Sequence, residues 1–510
     1  MASSRVMMSR ATAATPWGID ARAVQVEVDV RNGLPQMQLV GLPDAAVRES
    51  RERVRAAIKN CGFELPPRVV VVNLAPADLR KEGSHLDLAI ALALLSAHGH
   101  LPQTALDRRL VCGELGLDGS LRSVRGGLAL AECARSLEVD EVLLPTASAC
   151  QAAALEALPV VAVDSLGEAV QHLLALERRE PVTAASAAVG ETRDSTDLSE
   201  VRGQLLGKRA LEVAAAGSHN LLFGGPPGSG KTMLARRLPG LLPPLTTAEA
   251  LEVTKIHSLV GEDCPEGLMR CRPFRSPHAS TSAAGLIGGG SVPRPGEVSL
   301  AHHGVLFLDE MPEFRRDVLE SLRQPLEDGR VTVVRSRARL TFPSRFSLVG
   351  ACNPCPCGHY GSLRGPACRC PPTRVESYRC RLSGPLLDRI DLHVEVPAVS
   401  LGELREPPGE SSAVVAERVL AARERQRHRQ GDGVSNAALG SAEVALHCAL
   451  DRSPRRLLDG AFERLGLSAR SVHRVLKVAR TLADLAAAER IASAHVAEAL
   501  QYRQKPVVVE

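Results

Sequence analysis

The chain has 510 residues, of which 45% are hydrophobic, and its 62 basic and 58 acidic side chains leave a net charge of +4. This length predicts roughly three domains, and so small a net charge does not by itself indicate a nucleic-acid partner. No apolar stretch approaches the ~18 residues of a membrane span, and the longest, Leu86–Ala97, predicts a buried helix. Residues 1–20 lack the apolar core of a signal peptide. We therefore expect a cytoplasmic protein whose 13 cysteines are thiols or metal ligands rather than disulfides.

The chain divides into regions with different sequence patterns. Residues 1–178 alternate valine-rich stretches, such as Arg68–Leu74, with helical patterns, which indicates an α/β domain. A small, polar segment without periodicity predicts a flexible linker over 179–200. A second α/β domain is expected over 201–398, and apolar residues at three- and four-residue spacing predict helices over 399–510.

A phosphate-binding loop is predicted near the start of the second α/β domain. The sequence matches G-x-x-x-x-G-K-[ST] at Gly225, Pro226, Pro227, Gly228, Ser229, Gly230, Lys231 and Thr232. An apolar strand precedes the loop and a helical pattern follows it, which is the setting that this motif requires. Backbone N–H groups of such a loop surround phosphate oxygens. We expect Lys231 to contact the β- and γ-phosphates of ATP and Thr232 to bind Mg²⁺.

Two acidic residues end a later apolar strand. Val305–Leu308 predict a buried strand, and Asp309 and Glu310 follow it directly. We expect Asp309 to hold Mg²⁺ and Glu310 to polarise the attacking water. Such a pair indicates an ATPase rather than a small-molecule kinase, and two solvated acids at a strand end are the alternative.

Four cysteines are paired in the segment 355–370. The pattern is C-x-C, ten residues, C-x-C, with the cysteines at Cys355, Cys357, Cys368 and Cys370. Four thiolates can complete a tetrahedral, structural Zn²⁺ site, although each pair is closer than the usual C-x₂₋₄-C spacing. Unliganded thiols in a loop are the alternative. Cys380 lies outside the pattern and is expected to be free.

A basic hairpin is predicted between the acidic strand and the cysteines. Residues 331–346 contain a β-branched strand, a basic turn and a second strand. Arg335, Arg337 and Arg339 alternate, so in an extended segment they are expected to share one face. Three guanidinium groups there can bind DNA phosphates, and a solvated basic edge that opposes aggregation is the alternative. Aromatic residues form only 2% of the chain, so base stacking is not expected to carry binding.

Several long segments resemble one known family. Residues 283–314 and the sequence RLSGPLLDRIDLHVEVP resemble the magnesium-chelatase-like AAA+ ATPases. The N-terminal sequence VGLPDAAVRESRERVRAAIKNCGFELPPRVVVVNLAPADLRKEGSHLDLAIAL is similar to the YifB/ComM group of that family, and RSVHRVLKVARTLADL is similar to its lid domain. The resemblance extends from about residue 16 to residue 503.

The resemblance implies a fold and a function. The expected architecture is an N-terminal Lon-protease-like domain of the ribosomal S5 domain 2 type, an AAA+ P-loop core with a chelatase-type insert, and a C-terminal helical lid. The family forms homohexameric ATPase rings, and its ComM members are helicases that promote branch migration during recombination in natural transformation. The expected partners are therefore single-stranded or branched DNA and recombination proteins. A chelatase-like motor that remodels a protein partner is the alternative, and the basic hairpin and the fused N-terminal domain favour DNA.

The resemblance also implies roles for three further side chains. Asn353 ends an apolar strand at the position where AAA+ ATPases carry a polar residue that helps to orient water. Arg389 precedes another strand, and Arg470 begins a lid helix. An arginine supplied across a subunit boundary neutralises charge in the transition state of well-studied NTPases. A surface salt bridge is the alternative for either arginine.

The Lon-like resemblance raises the question of proteolysis. A Lon-type dyad needs a serine nucleophile and a lysine base. In the matching segments Ser84 stands one place early, His85 occupies the position of the nucleophile, and Ala129 stands where the lysine is needed. We therefore expect an assembly or DNA-binding scaffold rather than a protease.

Overall fold

The computed structural model describes residues 7–81, 83–156, 158–183, 196–262, 267–290, 293–335, 338–361 and 366–503. The chain forms two compact units. The N-terminal unit contains residues 1–190 and 246–270, and the C-terminal unit contains residues 191–245 and 271–510. The domain boundaries expected from the sequence stay predictions.

The strands of both units are short, with the exception of the first two. In chain order they are β1 Met7–Trp17, β2 Asp20–Arg31, β3 Gln36–Val40, β4 Val69–Ala75, β5 Arg109–Val111, β6 Glu114–Leu115, β7 Leu121–Arg122, β8 Glu141–Leu144, β9 Val160–Ala162, β10 Leu221–Gly224, β11 Phe274–Arg275, β12 Gly288–Gly289, β13 Arg294–Pro295, β14 Val305–Leu308, β15 Arg330–Arg335, β16 Ala338–Pro343, β17 Ser347–Cys352 and β18 Leu392–Glu395.

Helices connect most of these strands, and further helices follow the last strand. In chain order they are α1 Ala45–Asn60, α2 Asp87–Ala97, α3 Gly127–Ser136, α4 Thr146–Ala153, α5 Leu166–Leu173, α6 Leu205–Gly217, α7 Lys231–Arg237, α8 Thr247–Val260, α9 Ala283–Ile287, α10 Glu297–Leu300, α11 Arg316–Ser321, α12 Arg323–Asp328, α13 Pro372–Arg379, α14 Gly384–Leu387, α15 Leu401–Leu404, α16 Ser412–Gln430, α17 Ser441–His447, α18 Arg452–Leu465, α19 Ala469–Leu485 and α20 Ser493–Gln501. Short 3₁₀ helices occupy Gln103–Ala105, Leu198–Glu200, Pro239–Leu241, Met311–Glu313 and Asn436–Ala438.

The N-terminal unit is built on a seven-stranded mixed sheet in the order β3-β4-β2-β1-β5-β8-β9. β1 and β2 pair along their whole length as an antiparallel hairpin. α2 is buried on all sides, with every residue of Asp87–Leu95 buried, which confirms the buried helix predicted from its mostly apolar sequence. α8 joins this unit although it lies far along the chain, and Lys255 ties it there by ion pairs to Asp20 and Glu132.

The C-terminal unit is built on a five-stranded parallel sheet in the order β11-β14-β17-β10-β18. Every residue of β10, β14 and β17 is buried. Parallel strands that are covered on both faces have continuous apolar sequences rather than alternating ones. This explains why the sequence predicted these strands as apolar runs with polar residues only at their ends.

A buried ionic network joins the C-terminal helices. Asp484 of α19, with a side chain only 1% exposed, accepts hydrogen bonds from Arg429 at 2.7 and 2.8 Å and from Asn436 at 2.8 Å, and Arg480 contacts it at 3.0 Å. The network ties α16 and the segment after it to α19. In the described residues, no helix is long and apolar enough to cross a membrane.

We predict that Asp484→Ala destabilises the C-terminal unit by about 3–5 kcal/mol, because it leaves the buried guanidinium group of Arg480 and the half-buried one of Arg429 without their carboxylate. Urea unfolding of the full chain, followed by circular dichroism, measures the effect. Asp459→Ala is the matched control, since Asp459 is an exposed acid on the neighbouring helix α18. Equal midpoints for the two variants would contradict a stabilising role for the network.

Candidate functional site

The predicted phosphate loop lies between a buried strand and a helix. β10 leads into the loop Gly225–Gly230, and α7 begins at the next residue. A Cβ at Gly225 would lie 2.2 Å from the carbonyl oxygen of Val396, so no larger residue fits there. Gly230 has a φ of 94°, which favours glycine. The loop thus has the strand–loop–helix setting that the motif requires.

The Lys231 side chain points back into this loop. Its ammonium group donates to the carbonyl oxygens of Gly225 and Pro226, both at 2.8 Å, and to Oδ1 of Asn353 at 3.1 Å. Lys231 is only 8% exposed, and burial lowers its pKa. These three acceptors are uncharged, and a buried cation is stabilised most by an anionic partner. A phosphate oxygen would supply that partner.

The two side chains expected to hold Mg²⁺ are hydrogen-bonded to each other. The Thr232 hydroxyl donates to Oδ2 of Asp309 at 2.7 Å. Hydroxyl and carboxylate oxygens are ligands that Mg²⁺ accepts beside nucleotide phosphates, so the pair fits one shared cation. Glu310 is exposed beside them, and its N–H donates to Oδ1 of Asp309 at 2.9 Å. Its φ of 48° is unusual outside glycine.

Asn353 completes this group at the end of β17. Because β17 lies between β14 and β10 in the parallel sheet, Asn353 lies between the acidic pair and the phosphate loop. The preceding thiol, Cys352, is fully buried, and burial raises its pKa to about 12. Tyr378 of α13 is also buried, and its hydroxyl contacts the Asn353 backbone.

The two predicted arginines, Arg389 and Arg470, lie together at the edge where the parallel strands begin, opposite the edge that carries the phosphate loop. The carbonyl oxygen of Arg389 accepts from Asn220, the residue before β10, at 3.0 Å. Arg389 pairs with Glu327 at 2.5 Å, and Arg470 contacts the same carboxylate at 3.7 Å. β10 has four residues and spans about 13 Å, so it separates this edge from the phosphate loop. Within one chain, neither arginine therefore lies in the cluster formed by Lys231, Thr232, Asp309 and Asn353.

The four paired cysteines form one cluster. Their sulfur atoms all lie within 4.8 Å of one another, and Cys355 Sγ is 3.3 Å from Cys357 Sγ and 3.7 Å from Cys368 Sγ. Disulfide sulfurs would be about 2.05 Å apart, whereas sulfurs around a tetrahedral zinc, with Zn–S bonds of about 2.3 Å, are about 3.8 Å apart. Backbone N–H groups of His359 and Arg369 lower the pKa of the Cys357 thiol. The donor set therefore fits zinc.

Comparison with known proteins agrees with this site. Models of magnesium chelatase subunit ChlI match residues 26–148 and 197–404, and a model of the C-terminal part of that subunit matches residues 409–503. YifB of Escherichia coli is 48% identical over 497 residues, and competence protein ComM of Haemophilus influenzae is 44% identical over 491, with 95% of each chain covered in both cases.

The chain belongs to the YifB/ComM group of magnesium-chelatase-like proteins. Its parallel sheet fits the AAA+-like fold of that family. The magnesium-chelatase 67 kDa subunit of Heliobacterium mobile is more distant, with 28% identity over 198 residues, or 33% of this chain and 29% of that protein.

The basic hairpin of this YifB/ComM-type chain differs from the sequence prediction in one respect. β15 and β16 do pair, but the register sets position 335 opposite 338 and position 334 opposite 339. Directly paired positions share a face and neighbours alternate, so positions 335 and 339 belong to opposite faces. The expectation that the three arginines share one face is wrong, because the chain reverses between the strands. Arg337 lies outside the described residues, and Arg339 is exposed.

The register shows a different basic face. Val331 and Val333 are buried on one side of the hairpin, together with Leu340 and Phe342 of the partner strand. The other side has Arg330 and Arg339, both exposed, with Thr332 and Thr341 in contact between them. Arg330 was missed because its face depends on the strand pairing, which the sequence pattern alone did not supply.

The N-terminal unit offers no serine–lysine pair at the positions of a Lon-type dyad. Ser84 donates to Glu114, and Ala129 is buried in α3. His85 is buried, and burial lowers its pKa to about 4. The buried Lys81 donates to the carbonyl oxygens of Gly41, at 3.0 Å, and Pro76. The Lon-like fold of the unit and its expected scaffold role stay predictions.

Proposed function

We propose that the protein is an ATP-dependent ring motor that acts on DNA, as a branch-migration helicase in homologous recombination and natural transformation. ATP binding and hydrolysis are supported by one observation. Four polar side chains meet at one edge of the parallel sheet: Lys231, Thr232, Asp309 and Asn353. The DNA part is supported by the exposed arginines of the hairpin and by the 44% identity to a competence protein.

Each residue of the group has a chemical role in ATP hydrolysis under this proposal. Lys231 contacts the β- and γ-phosphates, while Thr232 and Asp309 hold Mg²⁺. Glu310 polarises the attacking water, and Asn353 orients that water from the neighbouring strand. Lys231 exchanges its present bond to Asn353 for phosphate oxygens, which frees the amide for the water.

We propose a homohexameric ring, and the position of the arginines supports an assembly of neighbouring copies. Arg389 and Arg470 lie at the edge of the sheet away from their own phosphate loop, where Glu327 orients both of them. An arginine so placed can act on a γ-phosphate held by a neighbouring subunit. A complete site then contains the phosphate loop of one copy and the arginines of the next.

A chelatase-like motor that remodels a protein partner is the second candidate. It is favoured by the family models along the chain and by the similarity to the Heliobacterium mobile subunit. The DNA motor and the protein remodeller share the ATP chemistry and differ in what stimulates it. DNA is therefore the discriminating ligand.

The test is the steady-state ATPase rate of the full chain alone, with single-stranded DNA and with a forked duplex, together with branch migration of a labelled four-way junction. The DNA motor predicts stimulation by DNA and ATP-dependent junction migration. If DNA does not stimulate the ATPase and the chain does not move the junction, the DNA motor is wrong. The protein-remodelling motor would then be the supported function.

We predict that Arg330→Ala/Arg339→Ala weakens binding to single-stranded DNA and flattens its salt dependence, because each lost phosphate contact reduces the slope by about 0.7. A salt titration of binding measures the slope, and DNA sequence should make little difference, since backbone contacts do not specify sequence. The control is Arg490→Ala, an arginine with a 79% exposed side chain outside the hairpin. Identical slopes for the double variant and the control would show that Arg330 and Arg339 of the hairpin do not contact DNA phosphates.

We predict that Glu310→Gln binds ATP as the parent does but hydrolyses it about 10²–10⁴-fold more slowly, the usual contribution of a general base. The phosphate loop is untouched, so binding of a fluorescent non-hydrolysable ATP analogue is the matching readout. Glu376→Gln, at an exposed position of α13, controls for loss of a carboxylate. Turnover near the parent rate would show that Glu310 is not the base.

We predict that Arg389→Ala subunits, inactive alone, regain hydrolysis when mixed with Lys231→Ala subunits. The first subunit keeps its phosphate loop and the second supplies the arginine, which is worth on the order of 10³–10⁵ in rate in well-studied NTPases. The control mixes Arg389→Ala with the double variant Arg389→Ala/Lys231→Ala, which supplies no arginine. Mixed rings without activity would indicate that Arg389 does not act across a subunit boundary.

A further inference from the structure

The loop after β17 contacts the phosphate loop at two separate points. The first is Asn353, at the beginning of the loop, whose Oδ1 accepts from Lys231 at 3.1 Å. The second is Gly358, where a Cβ would lie 2.4 Å from Cδ and 2.8 Å from Cγ of Pro227. Gly358 has a φ of 83°, and its N–H donates to the carbonyl oxygen of Cys355 at 2.9 Å. The turn between these points therefore lies directly on the phosphate loop.

Two of the clustered thiols belong to this same turn. Cys355 follows Asn353 by two residues and is fully buried, and Cys357 directly precedes Gly358. The other two, Cys368 and Cys370, come from the far end of the loop, and Cys357 Sγ lies 3.6 Å from Cys368 Sγ. Whatever joins the four sulfurs fixes the turn, and with it the two contacts to the phosphate loop.

We propose that Cys355, Cys357, Cys368 and Cys370 bind one zinc ion, and that this ion holds the turn 353–358 against Pro227, so that zinc occupancy sets the affinity for nucleotide. The inference rests on the proposed ATP site. Four thiolates leave zinc no open position, so the ion is structural. Its effect on nucleotide passes through Gly358 and Asn353.

The coupling works in both directions. If zinc raises nucleotide affinity by a given factor, nucleotide must raise zinc affinity by the same factor, and couplings of this kind are typically about 5- to 150-fold. The packing at Pro227 provides the physical link, since a shift of the turn changes its contact with the centre of the phosphate loop. The reciprocal effect separates this proposal from a zinc ion that only stabilises the fold.

The experiment uses the full chain purified without added metal. Metal content is measured by mass spectrometry, zinc release by a mercurial thiol reagent with a chromogenic indicator, and nucleotide affinity with a fluorescent non-hydrolysable ATP analogue. We expect about one zinc per chain. Cys368→Ser should lose the zinc and bind the analogue about 5- to 100-fold more weakly. Cys380→Ser, at an exposed cysteine outside the cluster, should change neither quantity.

A second variant separates the contact from the metal. Gly358→Ala keeps all four thiols but places a Cβ against Pro227, so it should retain zinc and still lose analogue affinity. In the unmodified chain, a saturating amount of the analogue should raise the affinity for zinc, measured by competition with a chelator, by about 5- to 150-fold. This measurement needs no variant and therefore does not depend on whether Cys368→Ser folds.

Several outcomes would overturn the proposal. They are a parent chain that holds no zinc or holds iron, a folded zinc-free chain that binds the analogue as tightly as the zinc-loaded one, or a zinc affinity that the analogue leaves unchanged. A zinc-loaded parent that fails to bind the analogue would instead overturn the ATP site, and with it the proposed function. The two failures are thus distinguishable, and neither measurement uses DNA.

Discussion

Parallel pairing of β14, β17 and β10 is the constraint on which the candidate site depends. Parallel strands end at the same edge, so the residues that follow these three strands must meet there. That edge receives Asp309, Asn353 and the phosphate loop, and the bond from Lys231 to Asn353 joins two of them at 3.1 Å. All three strands are fully buried. Polar groups at their ends are therefore held by a rigid apolar base, as a preorganised site requires.

The opposite edge of the same sheet, where the parallel strands begin, carries ion pairs instead. Residues that precede the strands meet at that edge. Asp391 lies buried there between His219 and Arg474. Arg389 and Arg470 both contact Glu327. His219 also contacts Thr481 of α19, so this edge is attached to the C-terminal helices. A single chain thus places the phosphate loop and the arginines at opposite ends of β10. Under the proposed function, the arginines of one copy would face the phosphate loop of the next in a head-to-tail assembly.

The loop after β17 shows how a motif can serve two purposes. Its first residue, Asn353, accepts a hydrogen bond from Lys231, and the turn that carries Cys355 and Cys357 packs on the phosphate loop through Gly358. The sequence pattern predicted the four thiols as a possible metal site because cysteine spacing is a local signal. The contact with Pro227 joins segments more than a hundred residues apart and has no such signal.

The amino-acid sequence by itself determined the phosphate loop, the acidic strand end, the buried helix α2 and the hairpin strands, because each is specified by neighbouring residues. The family followed from motifs in the same way, and the comparisons confirm it. Only the tertiary structure decided which face of the hairpin carries Arg330 and Arg339, and that Arg389 and Arg470 meet at Glu327. It also placed the thiols beside the phosphate loop. Strand register and long-range packing set these relations, and a local pattern does not encode them.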